Sequence, residues 1–238
     1  MKTLEGNIKL NNLWSEYNAV RLSGNKKVAN QLLNTFILKL KKQDEETINT
    51  FVTEICNHSL CDPRVMSNNG KEVSSSTVRI QHPLFKEVIL PVLAQNFRSR
   101  SSQHIRWIAQ FEQFFYSDDP ATREFLREID VAYPFDTIFF LEKSYEIQND
   151  QFTLNLLLNK LAQELDYAIH EVPIGVLWEP RVFDREVDKF RKYLDQVDDK
   201  QEWLTSFKEW TTIGEKWRTY STDKTKYKNF EHYLDIHK

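Results

Sequence analysis

Glycine and proline are scarce, with five and seven in 238 residues. Tight hairpins between strands draw on both, so their scarcity disfavours a strand-rich fold and favours helices. Cysteine is scarcer still: Cys56 and Cys61 are too few for a disulfide framework and suit a reducing compartment. No run of about 18 apolar residues offers a membrane span, and the opening MKTLEGNIKL lacks the apolar stretch of a signal peptide. A cytoplasmic location without a membrane partner is therefore expected. Excess positive charge is missing too. A net charge of −3 argues against a general nucleic-acid coat, although a local basic patch can hide in that total.

Sequence signatures of catalysis are lacking as well. There is no phosphate-cradling glycine loop, no His-Glu-x-x-His pair for a zinc protease and no Glu-x-x-His pair for a di-iron bundle. No cofactor or metal is expected. What the chain does have is 40 % apolar and 13 % aromatic residues, enough to fill a core without staples.

That apolar content is arranged with helical periodicity. From Phe152 to His170, Leu154, Leu157, Leu158, Leu161, Leu165 and Ala168 recur on one face, with polar residues mostly opposite. This amphipathic helix needs cover, which the helical patterns at 136–147 and 184–197 can supply. Earlier, 10–22 and 25–42 read as a helical hairpin turning at Ser23-Gly24-Asn25, with Val28, Leu32, Leu33, Phe36, Ile37 and Leu40 as a stripe. Asp44 precedes a third helix through Ile48, Phe51, Val52 and Ile55. The run from Cys61 to Thr77 reads as a loop, a binding arm or a spacer. Helix resumes over 82–97, where Pro91 should kink or interrupt it. Ser101, Asp119 and Asp136 are placed to cap the helices that follow, and Asp150 and Asp184 look cap-like in turn. Towards the end, Trp203, Phe207, Trp210, Ile213 and Trp217 form an aromatic stripe.

The resulting expectation is an all-α chain of roughly ten helices in stacked antiparallel hairpins, either an irregular repeat-like superhelix or a helical globule. It should form a single domain over 1–238, with any sub-boundary in the loop 61–80. Leu13, Val20, Ala29 and Leu33 can be laid on the apolar positions of tetratricopeptide-type repeats. Tyr17 stands at their glycine position and no second copy aligns, so the chain resembles those repeats in architecture only.

Four groups of residues carry candidate chemistry. Cys56, His58 and Cys61 are of metal-binding type, but a second ligand pair is missing. Asp166 and His170, four apart with Glu171 adjacent, are the best acid/base set for a hydrolase. The alternative is a histidine that serves the end of its helix. Arg98, Arg100 and Arg106, near His104 and Trp107, suit phosphate or nucleic acid, although the neighbouring acids oppose a long polyanion. The fourth group is acidic. Residues 118–150 hold nine acids against three bases, after a stretch from Arg79 to Arg106 with five bases against one acid.

That acidic block, with Asp118, Asp119, Glu124, Glu128, Glu142 and Glu146, either pairs with internal cations or faces a basic partner protein and steers its association. The leading reading is a non-catalytic cytoplasmic binding module, of the kind that includes inhibitor or immunity proteins of basic enzymes. Hydrolysis by Asp166 and His170, and phosphate binding by the arginines, are the alternatives. The stripe from Trp203 to Trp217 is either core or a homodimer interface.

Overall fold

The computed structural model describes residues 7–60, 80–116, 119–131 and 134–237, and every regular element among them is helical. Local caps decide where most of these helices begin. Helix α1 (Ile8–Leu22) starts at Asn7, whose side chain accepts the Leu10 N–H at 3.2 Å. Helix α2 (Lys26–Leu40) starts at Asn25, which accepts the Val28 N–H at 3.3 Å. Between them Gly24 takes φ +82°, a left-handed conformation that glycine adopts without steric cost. Asp44 caps α3 (Glu45–Leu60) through the Thr47 N–H at 2.7 Å. These helices bring Trp14 within 4.9 Å of Phe36 and edge-on to Phe51 at 5.4 Å. Leu33, Phe36, Ile37 and Leu40 of the expected α2 stripe are buried, while at its start Val28 is exposed and Ala29 is buried instead.

Pro91 interrupts its helix in an unforeseen way. The short α4 (His82–Leu84) runs into a π-turn (Phe85–Ile89) and then α5 (Leu90–Arg98). Leu90 donates to the Phe85 carbonyl five residues back, and Pro91 has no N–H for Glu87. The wider turn absorbs the missing donor without a break in the rod. After α6 (Ser102–Gln110), Asp119 caps α7 (Pro120–Glu128) and Asp136 caps α8 (Thr137–Ile147). Helices α6 and α8 approach closely because two small residues meet between them. Ser102 and Ser144 are both buried, and each hydroxyl reaches the other's carbonyl at 3.0 Å.

The chain divides into two compact units, 1–147 and 148–238. The sub-boundary expected at 61–80 lies outside the described residues except for Ile80. In the second unit Asp150 caps α9 (Gln151–Ile169), whose leucine face is fully buried. Its cover includes α10 (Pro180–Leu194) and α11 (Gln201–Thr222), with α12 (Phe230–Ile236) packed on α11. Helix α10 begins four residues before Asp184, since proline suits a first helical position. Asp184 is no cap: Arg218 on α11 bonds both of its carboxylate oxygens at 2.7 and 2.8 Å. A Cβ on Gly214 would lie 3.0 Å from the Phe183 ring, so glycine is what lets α11 approach α10 there. Among the described residues, no helix is long and apolar enough to cross a membrane.

Candidate functional site

Asp166 and His170 lie four residues apart, yet the structure does not join them. Asp166 Oδ1 accepts the indole N–H of buried Trp210 at 2.9 Å. His170 turns the other way. Its Nδ1 lies 2.5 Å from the Tyr167 carbonyl oxygen, its ring stacks on Tyr167 at 4.9 Å, and its Nε2 is 3.0 Å from Glu171 Oε1. The imidazole therefore closes the last turn of α9, where free carbonyls favour a donor. The carboxylate meanwhile holds an indole in place.

The three arginines stand in different surroundings. Arg98 Nη2 reaches the Glu128 carbonyl at 3.4 Å and its carboxylate at 3.6 Å. Arg100 is exposed at φ +59°, just past α5, where its N–H and that of Ser101 bond back to Phe97 and Asn96. Its backbone thus stops the helix in a left-handed turn. Arg106 is half-buried on α6.

Internal cations meet much of the acidic block. Asp119 lies 3.2 Å from Lys86 Nζ and 3.3 Å from His82 Nε2. The Ala121 N–H, then the Lys86 ammonium and His82, hold its carboxyl below the usual range. Glu124 is 2.5 Å from Arg127, and Glu128 pairs with Arg98. On α8, Glu142 is half-buried and Glu146 exposed. Asp118 lies outside the described residues, as does Cys61. Of the other metal-type residues, Cys56 is buried, which pushes its thiol pKa up, and His58 is exposed. A protonated thiol in an apolar interior is a packing group rather than a ligand.

On the α11 stripe two residues are buried within the second unit, and Phe207, Ile213 and Trp217 are half-buried. Trp203 and Trp210 are buried with their rings 5.8 and 5.0 Å from Phe190, and Phe207 stacks on the same ring.

Three features escaped the sequence reading. Ser101 Oγ lies 2.7 Å from His104 Nδ1 at the head of α6, a pairing the Ser-x-x-His spacing could have signalled as a relative of the capping box. Burial lowers the His104 pKa to about 4, so the imidazole is neutral near pH 7 and a weak base. Next, a groove of about 410 Å³ runs beside the π-turn over Ile48, Val88, Pro91 and Val92. The Lys41–Glu87 pair, at 3.0 Å, and the contact between Gln95 and Glu45 stand among its lining residues.

The third feature is the connection from α9 to α10. It exposes Ile174 by 75 % and Leu177 by 46 %, beside Tyr167, which is 63 % exposed in the last turn of α9. Two such side chains in a turn have no period, which is why periodicity passed over them. Leu177 N–H bonds the Ala168 carbonyl at 2.8 Å, and Ile174 N–H the Glu171 carbonyl at 2.7 Å. From α11, Trp217 Nε1 donates to the Trp178 carbonyl at 2.9 Å. The connection is fixed at both ends and props its apolar side chains outward. Compared with protein-family models, with curated proteins and with solved structures, the chain matches none.

Proposed function

We propose that the chain is a protein-binding module acting on a basic partner in the cytoplasm, without catalysis of its own. The observation that carries this reading is the connection between α9 and α10. Large apolar side chains held outward on an ordered backbone cost free energy in water, and covering them is a usual source of binding energy. Two further facts support it. Asp166 and His170 serve an indole and a helix end, while the wholly buried Cys56 suits a compartment that keeps thiols reduced. An inhibitor of a basic enzyme, of the immunity type, is the form of this function that the acidic balance fits best. The test is cross-linking in the native cell followed by quantitative mass spectrometry, with the Asp166→Ala and His170→Ala chains assayed for hydrolysis in parallel. The reading expects a protein enriched over an unrelated helical control; turnover that disappears in either variant would replace it with a hydrolase.

A further inference from the structure

The groove beside the π-turn joins an apolar lining to a small set of placed polar groups. Ile48, Val88, Pro91 and Val92 supply the first. Two polar contacts between different elements supply the second: Lys41, just past α2, pairs with Glu87 in the π-turn at 3.0 Å, and Gln95 on α5 donates to Glu45 on α3. All of these residues belong to the first unit. At about 410 Å³ the groove has the size of a small-molecule site.

Its polar groups decide which molecule fits. The donor groups are already matched: the Lys41 ammonium by Glu87, the Gln95 amide by Glu45, and the Gln43 amide by the Lys39 carbonyl at 3.1 Å. Pro91 has no N–H to give. Acceptors are left over. Glu45 meets only a neutral amide, and Asn49 Oδ1 is buried with no donor among the described residues, a costly state for a polar atom. These two residues are four apart on α3, so they are neighbours on one face of the helix. Charge agrees with this. The lining has two acids, Glu45 and Glu87, against one base, Lys41. Outside it, Lys39 and Lys42 are offset by Asp44 and Glu46, and Lys86 is held by Asp119 at 3.2 Å. The charge without a counterpart is that of Glu45.

We infer that this groove is a binding site for a small primary amine with an aliphatic body. The ammonium takes Glu45 in place of the Gln95 amide, which exchanges a neutral donor for a charge-assisted one. An ammonium has three N–H groups. A second of them meets Asn49 once the carboxamide turns about its soft terminal torsion, giving Oδ1 the donor it lacks. The aliphatic body covers the apolar lining. An anion would be repelled by Glu45, and a neutral head would leave that carboxylate with no cation. The site goes beyond the binding-module reading and does not depend on it.

The experiment titrates the full chain with hexylamine, hexanol and hexanoate, which share one apolar body and differ in head group. Binding is read from the backbone amide shifts of Ile48, Asn49, Val88 and Val92. Hexylamine should move all four, hexanol should bind about tenfold more weakly, and hexanoate should leave them in place. Glu45→Gln should weaken hexylamine about tenfold and leave hexanol unchanged, since only the charged head loses its partner. Asn49→Leu should weaken hexylamine roughly threefold. Glu45 is exposed, so its variant keeps the core, and circular dichroism of both variants checks the fold. Equal affinity for the three heads, no shift at these amides with hexylamine, or hexylamine binding that ignores Glu45→Gln overturns the inference. Each of those results leaves the binding-module reading standing, because that reading rests on the connection between α9 and α10.

Discussion

Trp210 on α11 donates its indole N–H to Asp166 on α9, 44 residues away in sequence, and this bond ties a buried ring to a carboxylate at the surface of the second unit. Trp210 is almost wholly buried, so its donor has no easy recourse to water. Asp166→Ala should therefore destabilise the unit by about 1 to 3 kcal/mol, the cost of leaving a buried donor unmet. His170→Ala, at the half-exposed helix end, should cost only about 0.3 to 1 kcal/mol. Chemical denaturation of both variants checks the order; equal or reversed losses would show that the indole bond is not what Asp166 is for.

Two groups should give stability a pH dependence with separate windows. Burial depresses the His104 pKa from 6.5 to about 4, so the unfolded chain takes up a proton that the folded chain refuses in that interval. Stability should fall as pH drops from 6.5 towards 4. Asp119 also has a depressed pKa, but it is a carboxyl that is charged when stabilising: its contribution is present above 3.8 and lost below it. His104→Gln should flatten the first window and Asp119→Asn the second. Urea midpoints measured from pH 3 to 7.5 would reveal either slope surviving its variant.

The acidic block can be tested by charge alone. Changing Glu124, Glu128, Glu142 and Glu146 together to Gln removes the contacts of Arg127 and Arg98 in the first unit. A modest loss of stability, smaller at high salt, is expected, because exposed pairs are screened. An increase in stability would mean that like-charge repulsion between Glu124 and Glu128 outweighs those cations, and that α7 waits for a basic partner after all.

Local chemistry was the legible part of this chain. Asn25, Asp44, Asp119, Asp136 and Asp150 each act on N–H groups two or three residues away, so composition alone could place them. The leucine face of α9 was legible for the same reason, being periodic. Asp184 misled because it carries a capping side chain, while Pro180 four residues earlier sets the start of α10 and Arg218 claims the carboxylate. The split between Asp166 and His170 was out of reach. It depends on Trp210, and spacing along one helix says nothing about what a distant helix presents. The exposed Ile174 and Leu177 were missed because a fixed turn has no repeat to detect.

The π-turn before Pro91 also keeps the reading frame of the first unit. It is one residue more than an α-helical turn holds, and each residue turns a helix by about 100°. The wider turn takes up that extra residue, because five residues of it rotate the chain about as far as four of an α-helix, and so Leu93 and Phe97 stay on the buried face. A deletion at Lys86 or Glu87 should keep that face and fail instead at Pro91, whose ring a regular turn would press against the carbonyl four residues back. The spare residue is thus slack left in the helix for the proline to occupy.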